Sequence, residues 1–297
     1  MLSTSTKLQE EIGMIKFMSQ LFSAYEEIAV MKMQRIRTGV FHNRKFLDEL
    51  YSIFNESKIL YFKRVSSLNG ANQPTIDESS LTRFSTLNKN GKSIIVLISP
   101  DQKFSGNIGF EVFDDFYKHT KESTDSEVLV IGIVGKQLVD GRGLTGYKYF
   151  ELKSLKDKIN YDSLRDYLLS YQKIDVHYGK FVNLLTQVKT VTDITGNTVN
   201  ENAINLTSTD DYIFEPSIEA VMNFFEVQIM GVLLKQALAE SELARLGSRI
   251  NAMESASRNA KDTVKKLGIQ KVMLDKSYAN NKQIERMSGM SLWGEFI

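Results

Sequence analysis

Residues 249–260 read RINAMESASRNA, a stretch with helical spacing in which most side chains are small. A soluble helix that packs against a neighbour usually places leucine at its buried positions. Alanine and serine stand there instead, so another backbone must approach this helix closely. The residues that recur at helical steps of three or four around it are Leu246, Ile250, Met253, Ala256, Ala260, Val264 and Leu267.

This helical pattern continues without proline from Pro216 to about Met290. Proline suits the first turn of a helix, so we expect the helix to begin there. About 70 residues would give a helix about 105 Å long, which a compact domain does not cover. A helix of this length without caps indicates a coiled coil.

The N-terminal segment is the second long helical pattern, free of proline from Lys7 to about Leu68. Its apolar residues form two faces, which indicates a helix that touches more than one neighbour. One face holds Ile12, Ile15, Phe22, Ala29, Met33 and Ile36, and the other holds Met14, Phe17, Leu21, Tyr25, Ile28 and Met31. We expect the two ends of the chain to pair with each other, antiparallel.

Between the long helices the apolar pattern changes to that of buried strands. Short apolar runs at 92–98 and 127–134 flank an amphipathic helix at 109–122. The pattern further predicts a helix at 161–179 and strands at 184–194 and 210–215. The predicted fold is an α/β domain of some five strands plus a long antiparallel coiled coil formed by the N- and C-terminal helices. The predicted domains are an N-terminal helix (1–68), a linker (69–90), the α/β domain (91–215) and a C-terminal helix (216–297).

Composition excludes several classes of function. The 37 basic and 36 acidic residues nearly cancel, so no global charge favours nucleic acid or an anionic membrane surface. The chain has no cysteine, which excludes disulfides, thiol catalysis and thiolate metal sites. We expect no secretory signal and no membrane span, because the longest apolar run, 128–135, is far short of about 20 residues.

Two glycine-containing motifs look like nucleotide sites and are rejected. NGKS at 90–93 has Thr86 where a phosphate-binding loop needs its first glycine, and it leads into a strand rather than a helix. GRGLTG at 141–146 fits G-x-G-x-x-G, but an alternating, strand-like segment follows it. We predict a glycine-rich turn between strands there.

No catalytic, cofactor-binding or metal-binding residues are predicted. His42, His119 and His177 lie far apart in the sequence, with no carboxylate at ligand spacing, so each is interpreted as a surface or packing residue. The adjacent Asp114 and Asp115 fit a solvated helix face better than an acid–base pair.

The C-terminal segment as a whole resembles the gamma subunit of F-type ATP synthases. That family ends in a long helix carrying a Glu-Ser pair, then Arg-Met-x-Ala-Met, then Ala-Thr-x-Asn-Ala. The matching positions here are Glu240, Ser241, Arg249, Ala252, Met253, Ala256, Ser257, Asn259 and Ala260. Glu215 and Pro216 match the family's Glu-Pro before this helix.

Looser matches extend the resemblance over most of the chain. The first helix follows the family pattern at Ile12, Lys16, Ala24, Lys32 and Arg35. In the C-terminal helix, Glu285 matches a glutamate that the family carries near the end of its sequence. Three motifs differ. The family's lysine-containing motif becomes the segment 20–25, its Ser-Glu-His becomes the segment 244–246, and its late Arg-Gln becomes the segment 278–279.

The resemblance implies a non-catalytic rotary shaft inside a hexameric ring of alternating alpha and beta subunits, which make or hydrolyse ATP. It also implies an epsilon-like subunit and a membrane rotor ring as partners, no cofactor of its own, and a peripheral place at the cytoplasmic side of a membrane. Candidate shaft or partner contacts are Lys16, Lys32, Arg35, Glu240, Ser241, Arg245, Arg249, Met253, Ala256, Asn259, Ala260 and Glu285.

Alternatives stay open at this point. A gamma-like shaft could belong to a divergent F-type-like ATPase that drives motility or other surface work instead of ATP synthesis. The chain could also be a non-rotary coiled-coil scaffold whose α/β domain binds a partner. An enzyme with an unrecognised site is the third alternative.

Overall fold

The run SIIVLI forms the central strand of a five-stranded sheet, and its apolar side chains are buried on both faces. The computed structural model describes residues 2–68, 89–102, 106–123, 125–153, 158–195 and 215–294. The helices are α1 (Leu2–Leu68), α2 (Ile108–Glu122), α3 (Ile133–Gly141), α4 (Lys158–Leu169) and α5 (Ile218–Gly294). The strands are β1 (Ser93–Ile98), β2 (Ser126–Ile131), β3 (Lys148–Phe150), β4 (Lys173–Phe181) and β5 (Gln187–Asp193). The predicted fold class, an α/β domain with two long terminal helices, is confirmed.

The sheet has the order β3-β2-β1-β4-β5. The first four of these strands run parallel, and β5 returns antiparallel beside β4. Because the chain builds outward from β1 to β3 and then crosses to the other side of β1, the order reverses between β1 and β4. In open parallel sheets this is the place where ligands bind, at the carboxyl ends of the strands.

Helices cover both faces of the sheet. On one face, α4 and α5 pack against alternate residues of the strands, with Leu164, Leu168 and Leu234 fully buried. On the other face, α2 and α3 bury Phe116 and Val139 against β1 and β2. Because apolar layers lie on both faces of the sheet, the inner strands β1 and β2 are apolar over most of their length.

The chain divides into two compact units. One consists of Met1–Met31 and Arg249–Ile297. Within it α1 and α5 run antiparallel, since Ser5 donates to Asp275 at 2.7 Å, while the hydroxyls of Ser19 and Ser257 lie 3.3 Å apart. The predicted antiparallel pairing of the chain ends is therefore present.

The second unit, Lys32–Ser248, holds the sheet, the short helices and the remaining parts of α1 and α5. Here the two long helices meet through an apolar cluster that includes Leu47, Phe54, Met222 and Ile229. The rings of Phe54 and Phe225 lie 5.9 Å apart. Aromatic and aliphatic side chains, rather than small ones, fill this part of the helix pair.

The helix predicted at 161–179 is wrong in its second half. Helix α4 ends at Leu169, and β4 begins at Lys173. The helical spacing of Tyr161, Leu164 and Leu168 is followed directly by an alternating segment, without glycine or proline to separate them. Because the prediction used only the spacing of apolar residues, it extended the helix past its end at Leu169.

The strand predicted at 127–134 is also too long. Strand β2 ends at Ile131, Gly132 adopts φ 99° and ψ 148°, and α3 follows, a helix that the sequence did not predict. The glycine-rich turn at 141–146 consequently joins a helix to β3, not two strands. The hydropathy pattern does not show where β2 ends, because the residues on both sides of Gly132 are apolar and a positive φ does not change hydropathy.

The other predicted boundaries shift by a few residues. Strand β5 begins at Gln187 rather than residue 184, and α5 begins at Ile218, where the hydroxyl of Ser217 accepts a hydrogen bond from the amide of Ala220. Most of the predicted linker and nearly all of the strand predicted at 210–215 lie outside the described residues. The domain boundaries stay predictions.

The antiparallel register gives a cross-linking prediction. Ser19→Cys with Ser257→Cys should form a disulfide on mild oxidation, because their hydroxyls lie 3.3 Å apart and the chain has no other cysteine. Faster migration of the oxidised protein on non-reducing gels would report it. The matched control pairs Ser19→Cys with Ser255→Cys, which is exposed two residues away, and this pair should stay reduced. Equal cross-linking of both pairs would contradict the register.

Candidate functional site

The predicted site residues fall into three groups by burial. Five are exposed and free to meet a partner: Lys16, Lys32, Arg35, Asn259 and Glu285. Three are half-buried: Arg245, Arg249 and Ala256. Four are buried within the chain: Glu240, Ser241, Met253 and Ala260. The structure thus separates residues that present a surface from residues that set the packing of α5.

The small residues of α5 lie where the backbone of the α/β domain comes closest. A Cβ at Gly179 would lie 3.3 Å from the Cβ of Ala244, and one at Gly106 would lie 2.8 Å from the carbonyl oxygen of Ser248. Gly247 faces Phe181, 3.3 Å from a Cβ at that position. The close neighbour that excludes large side chains is therefore, in this stretch, the sheet and the loop after β1.

This contact fills the place where an open parallel sheet would bind a ligand. Gly106 follows β1, Gly179 lies near the end of β4, and the reversal of strand order falls between those two strands. Ala244 is fully buried there. The crevice holds α5 instead of a nucleotide.

A packing prediction follows for this crevice. Ala244→Leu should lower the free energy of unfolding by about 1–3 kcal/mol, because the added atoms have no space beside Gly179. Denaturant unfolding of the isolated chain measures the change. The control, Ala252→Leu, places the same side chain at an exposed position of α5 and should change stability by less than about 0.5 kcal/mol.

The amino end of α3 is the second place where a phosphate could sit, and the chain itself occupies it. The amide of Gly135 donates to Ser99 Oγ at 2.8 Å, that of Ile133 to Asp101 Oδ1 at 3.2 Å, and that of Val134 to the Pro100 carbonyl at 3.0 Å. Helix amides that are already satisfied offer little to an anion.

The second apolar face of α1 is exposed. Met14 is 66% exposed, Phe17 61% and Met31 62%, and Leu21, Tyr25 and Ile28 complete the face. The first predicted face is the covered one, since Ile12, Ala29 and Met33 are buried. A contiguous apolar stripe on a helix that already has one partner marks an interaction surface.

Comparison with known proteins assigns the family. A family model described as ATP synthase matches residues 4–271. The chain belongs to this ATP synthase family.

The relatives are gamma chains. The ATP synthase gamma chain of Ruthia magnifica subsp. Calyptogena magnifica is 24% identical over 279 residues, covering 90% of this chain and 91% of the relative. That of Cytophaga hutchinsonii is 22% identical over 281 residues, covering 88% and 89%. The chain spans nearly the whole length of both gamma chains.

A solved structure agrees with the fold. The central stalk and c-ring of the Tetrahymena thermophila mitochondrial ATP synthase contains a chain that matches with a TM-score of 0.54 at 15% identity. The match covers 80% of this gamma-family chain and 99% of that chain. Within the part of the chain that the structure describes, no helix has a stretch long and apolar enough to cross a membrane.

The structure brings together two histidines that the sequence analysis of this gamma-family chain separated. His119 Nδ1 and His177 Nε2 lie 2.9 Å apart, because α2 packs across β4. Asp115 Oδ2 lies 3.4 Å from His177 Nδ1, and Lys189 pairs with the same carboxylate at 2.7 Å. His177 is a buried packing residue, as interpreted, but its distance from His119 in the sequence gave no sign that the two rings are in contact. Among the described residues, no group of three or more possible metal ligands could hold an ion.

Sequence reasoning missed Arg44, on α1. Its side chain contacts Glu240 of α5 at 2.9 Å and the Phe181 carbonyl of β4 at 3.3 Å. A lone arginine on a long helix carries no signal of such a role. The resemblance to gamma chains did select its partner, Glu240, although that side chain is buried.

Proposed function

We propose that this gamma-family chain is the central rotary shaft of an F-type ATPase, coupling rotation to ATP synthesis or hydrolysis on surrounding alpha and beta subunits. The observation that carries the proposal is the antiparallel pair of α1 and α5 with an outward apolar face on α1. A helix pair that buries one apolar face of α1 internally and exposes a second can pack that second face against surrounding subunits.

The nucleotide chemistry would reside on the partners. Two features of the α/β domain support this, namely the crevice filled by Ala244 and Ser248 and the saturated amino end of α3. The chain would act by differential contact. An asymmetric shaft stabilises a different conformation of each catalytic subunit, and rotation changes which one is favoured.

The basic residues among the exposed candidates would meet acidic loops of the ring. Lys16, Lys32 and Arg35 are exposed on α1, and Asn259 and Glu285 are exposed on α5. Arg249 is half-buried, and burial lowers its pKa against the opposing influence of nearby Tyr25. The exposed residues are therefore the better candidates for direct contact.

The α/β domain would project toward an epsilon-like subunit and a membrane rotor ring, which would place the chain peripherally at the cytoplasmic side of a membrane. The solved central stalk that shares its fold was determined together with a c-ring. The departures at 20–25, 244–246 and 278–279 leave the kind of machine to be decided by its other members.

Purification of the tagged chain from its native cells tests the proposal. We expect three alpha-like and three beta-like subunits for each copy, with ATP hydrolysis in the purified complex. Membrane-sector subunits in the complex would indicate ATP synthesis or ion pumping, whereas unrelated additional subunits would indicate a specialised F-type-like ATPase. Recovery of the chain alone, or with partners that lack ATPase activity, would contradict the shaft and favour the scaffold.

The outward face gives a point test. Phe17→Glu should sharply reduce recovery of the ring with the tagged chain, because a charge would enter an apolar interface. The isolated chain should unfold within about 0.5 kcal/mol of the wild type, since Phe17 is exposed. Gln137→Glu adds the same charge at an exposed position of α3, in the α/β domain, and should assemble normally. Equal recovery of both variants would show that this face does not meet the ring.

A further inference from the structure

Arg44 joins three elements of the second unit. From α1, its Nε donates to Glu240 Oε1 of α5 at 2.9 Å, and one terminal nitrogen donates to the carbonyl of Phe181, the last residue of β4, at 3.3 Å. The guanidinium also lies 5.4 Å from the ring centre of Phe41. One side chain therefore contacts both long helices and the sheet.

The acceptor at the centre of this contact is buried. Glu240 has a side-chain exposure of 4%, and Gln236, one turn earlier on α5, donates to the same Oε1 at 2.6 Å. Among the described residues, Glu240 Oε2 and Gln236 Oε1 have no hydrogen-bond partner. A buried carboxylate with so few donors depends strongly on its ion pair.

The same end of β4 also packs directly on α5. A Cβ at Gly247 would lie 3.3 Å from the Phe181 ring and 2.9 Å from the side-chain nitrogen of Gln187, the first residue of β5. That nitrogen in turn donates to the carbonyls of Asn183 and Leu184, which makes the turn a closed unit. The base of the β4–β5 hairpin thus packs against α5 at Gly247 and accepts a hydrogen bond from Arg44 of α1.

We propose that Arg44 is the positioning residue that fixes the sheet to both long helices, so that torque carried by the helices reaches the α/β domain without slack. This rests on the proposed function as a shaft. Packing against Gly247 resists sliding, but it touches α5 alone. The guanidinium of Arg44 also ties α1 to this contact between β4 and α5. It thereby prevents the two long helices from twisting independently of the sheet.

Arginine suits this role and lysine does not. The planar guanidinium offers several donors in fixed directions, so it can serve Glu240 and the Phe181 carbonyl together. A lysine ammonium is a single point on a flexible stem and would stay with the buried carboxylate. Arg44→Lys therefore keeps the ion pair and removes the link to β4.

The experiment uses the assembled complex carrying a single cysteine in this chain, Lys118→Cys on the exposed side of α2, labelled with biotin before assembly. The chain has no native cysteine, so the label is unique within it. A bead on this label reports the angle of the α/β domain while the ring holds the helices. Angular variance of the bead between steps measures the compliance of the joint, and ATPase activity without the bead measures the ring.

We expect Arg44→Lys to raise the angular variance by about twofold while ATPase activity without load stays within about twofold of the wild type, since one of two hairpin attachments is lost. Arg37→Lys is the matched control, because Arg37 is exposed on the same helix and contacts only the ring of Phe41 among the described partners. Unchanged variance in Arg44→Lys, with a rotating wild type, would overturn the role of Arg44. A wild-type complex that does not rotate would overturn the shaft itself.

Discussion

Gly132→Ala is expected to lower the free energy of unfolding by about 3–5 kcal/mol, combining backbone strain of about 1–3 kcal/mol with a steric clash. Gly132 adopts φ 99° and ψ 148°, a conformation that is nearly restricted to glycine. A Cβ there would lie 2.7 Å from Ser99 Oγ and closer still to the Ser99 carbonyl oxygen. Both contacts are with a segment fixed by its neighbours, so neither can relax cheaply.

The surroundings of Gly132 explain why the loss should be large. Its amide donates to the Phe150 carbonyl at 3.0 Å, which ties β2 to β3. Ser99 donates from both its amide and its hydroxyl to the Ile131 carbonyl, each at 2.8 Å. Moving Ser99 to make room would break the junction of three parallel strands. Chemical denaturation of the isolated chain measures the effect.

Two glycines nearby separate strain from clash. Gly143→Ala tests strain alone, because Gly143 has φ 72° but open space around it, and the expected loss is about 1–2 kcal/mol. Gly141→Ala tests neither, since Gly141 ends α3 with ordinary φ and open space, and it should be neutral or slightly stabilising. A loss at Gly132 no larger than that at Gly143 would show that Ser99 moves freely.

Much of the fold follows from periodicity. The long helices, β1 and α2 were all predicted because their patterns are long or unambiguous. Residues 94–98 are continuously apolar, and α2 places Val112, Phe113 and Phe116 on one buried side. The predictions that failed were those of where helices and strands end. Neither the positive φ of Gly132 nor the end of α4 at Leu169 is visible in hydropathy, because tertiary hydrogen bonds define both.

The candidate site was predictable only in part. The outward face of α1 was visible as a second apolar stripe, and the small residues of α5 indicated that another backbone lies close to this helix. Arg44 and the histidine pair were not visible, because each depends on residues that are distant in sequence. His119 and His177 are 58 positions apart, and only the packing of α2 on β4 brings them together.

The histidine pair leads to the second large expected effect, a loss of about 3 kcal/mol of stability between pH 6.5 and about pH 4. His177 is 1% exposed, and burial, followed by the proximity of His119, lowers its pKa to about 4. The unfolded chain takes up a proton near pH 6.5, which the folded chain cannot match until about pH 4. The unfolded state therefore binds more protons across this window, so stability falls as the pH falls.

The neighbouring charges modify this window without reversing it. Asp115 and Asp175 favour the protonated imidazole, but Asp115 already pairs with Lys189 at 2.7 Å and Asp175 with Lys173 at 2.7 Å. A hydrogen bond from Lys189 lowers the pKa of Asp115, so its own contribution is lost only at more acidic pH.

Unfolding free energies of the wild type and His177→Gln, measured from pH 7 to pH 4, isolate this contribution. The variant should start less stable, because it loses packing against Phe116, yet its stability should fall less steeply with acid, by about 3 kcal/mol over the window. His42→Gln removes an exposed histidine of α1 and should keep the wild-type slope. Parallel pH profiles for the wild type and His177→Gln would mean that the buried ring accepts a proton in the folded state. The His119–His177 contact would then have to open near neutral pH, and α2 would loosen from β4 with it.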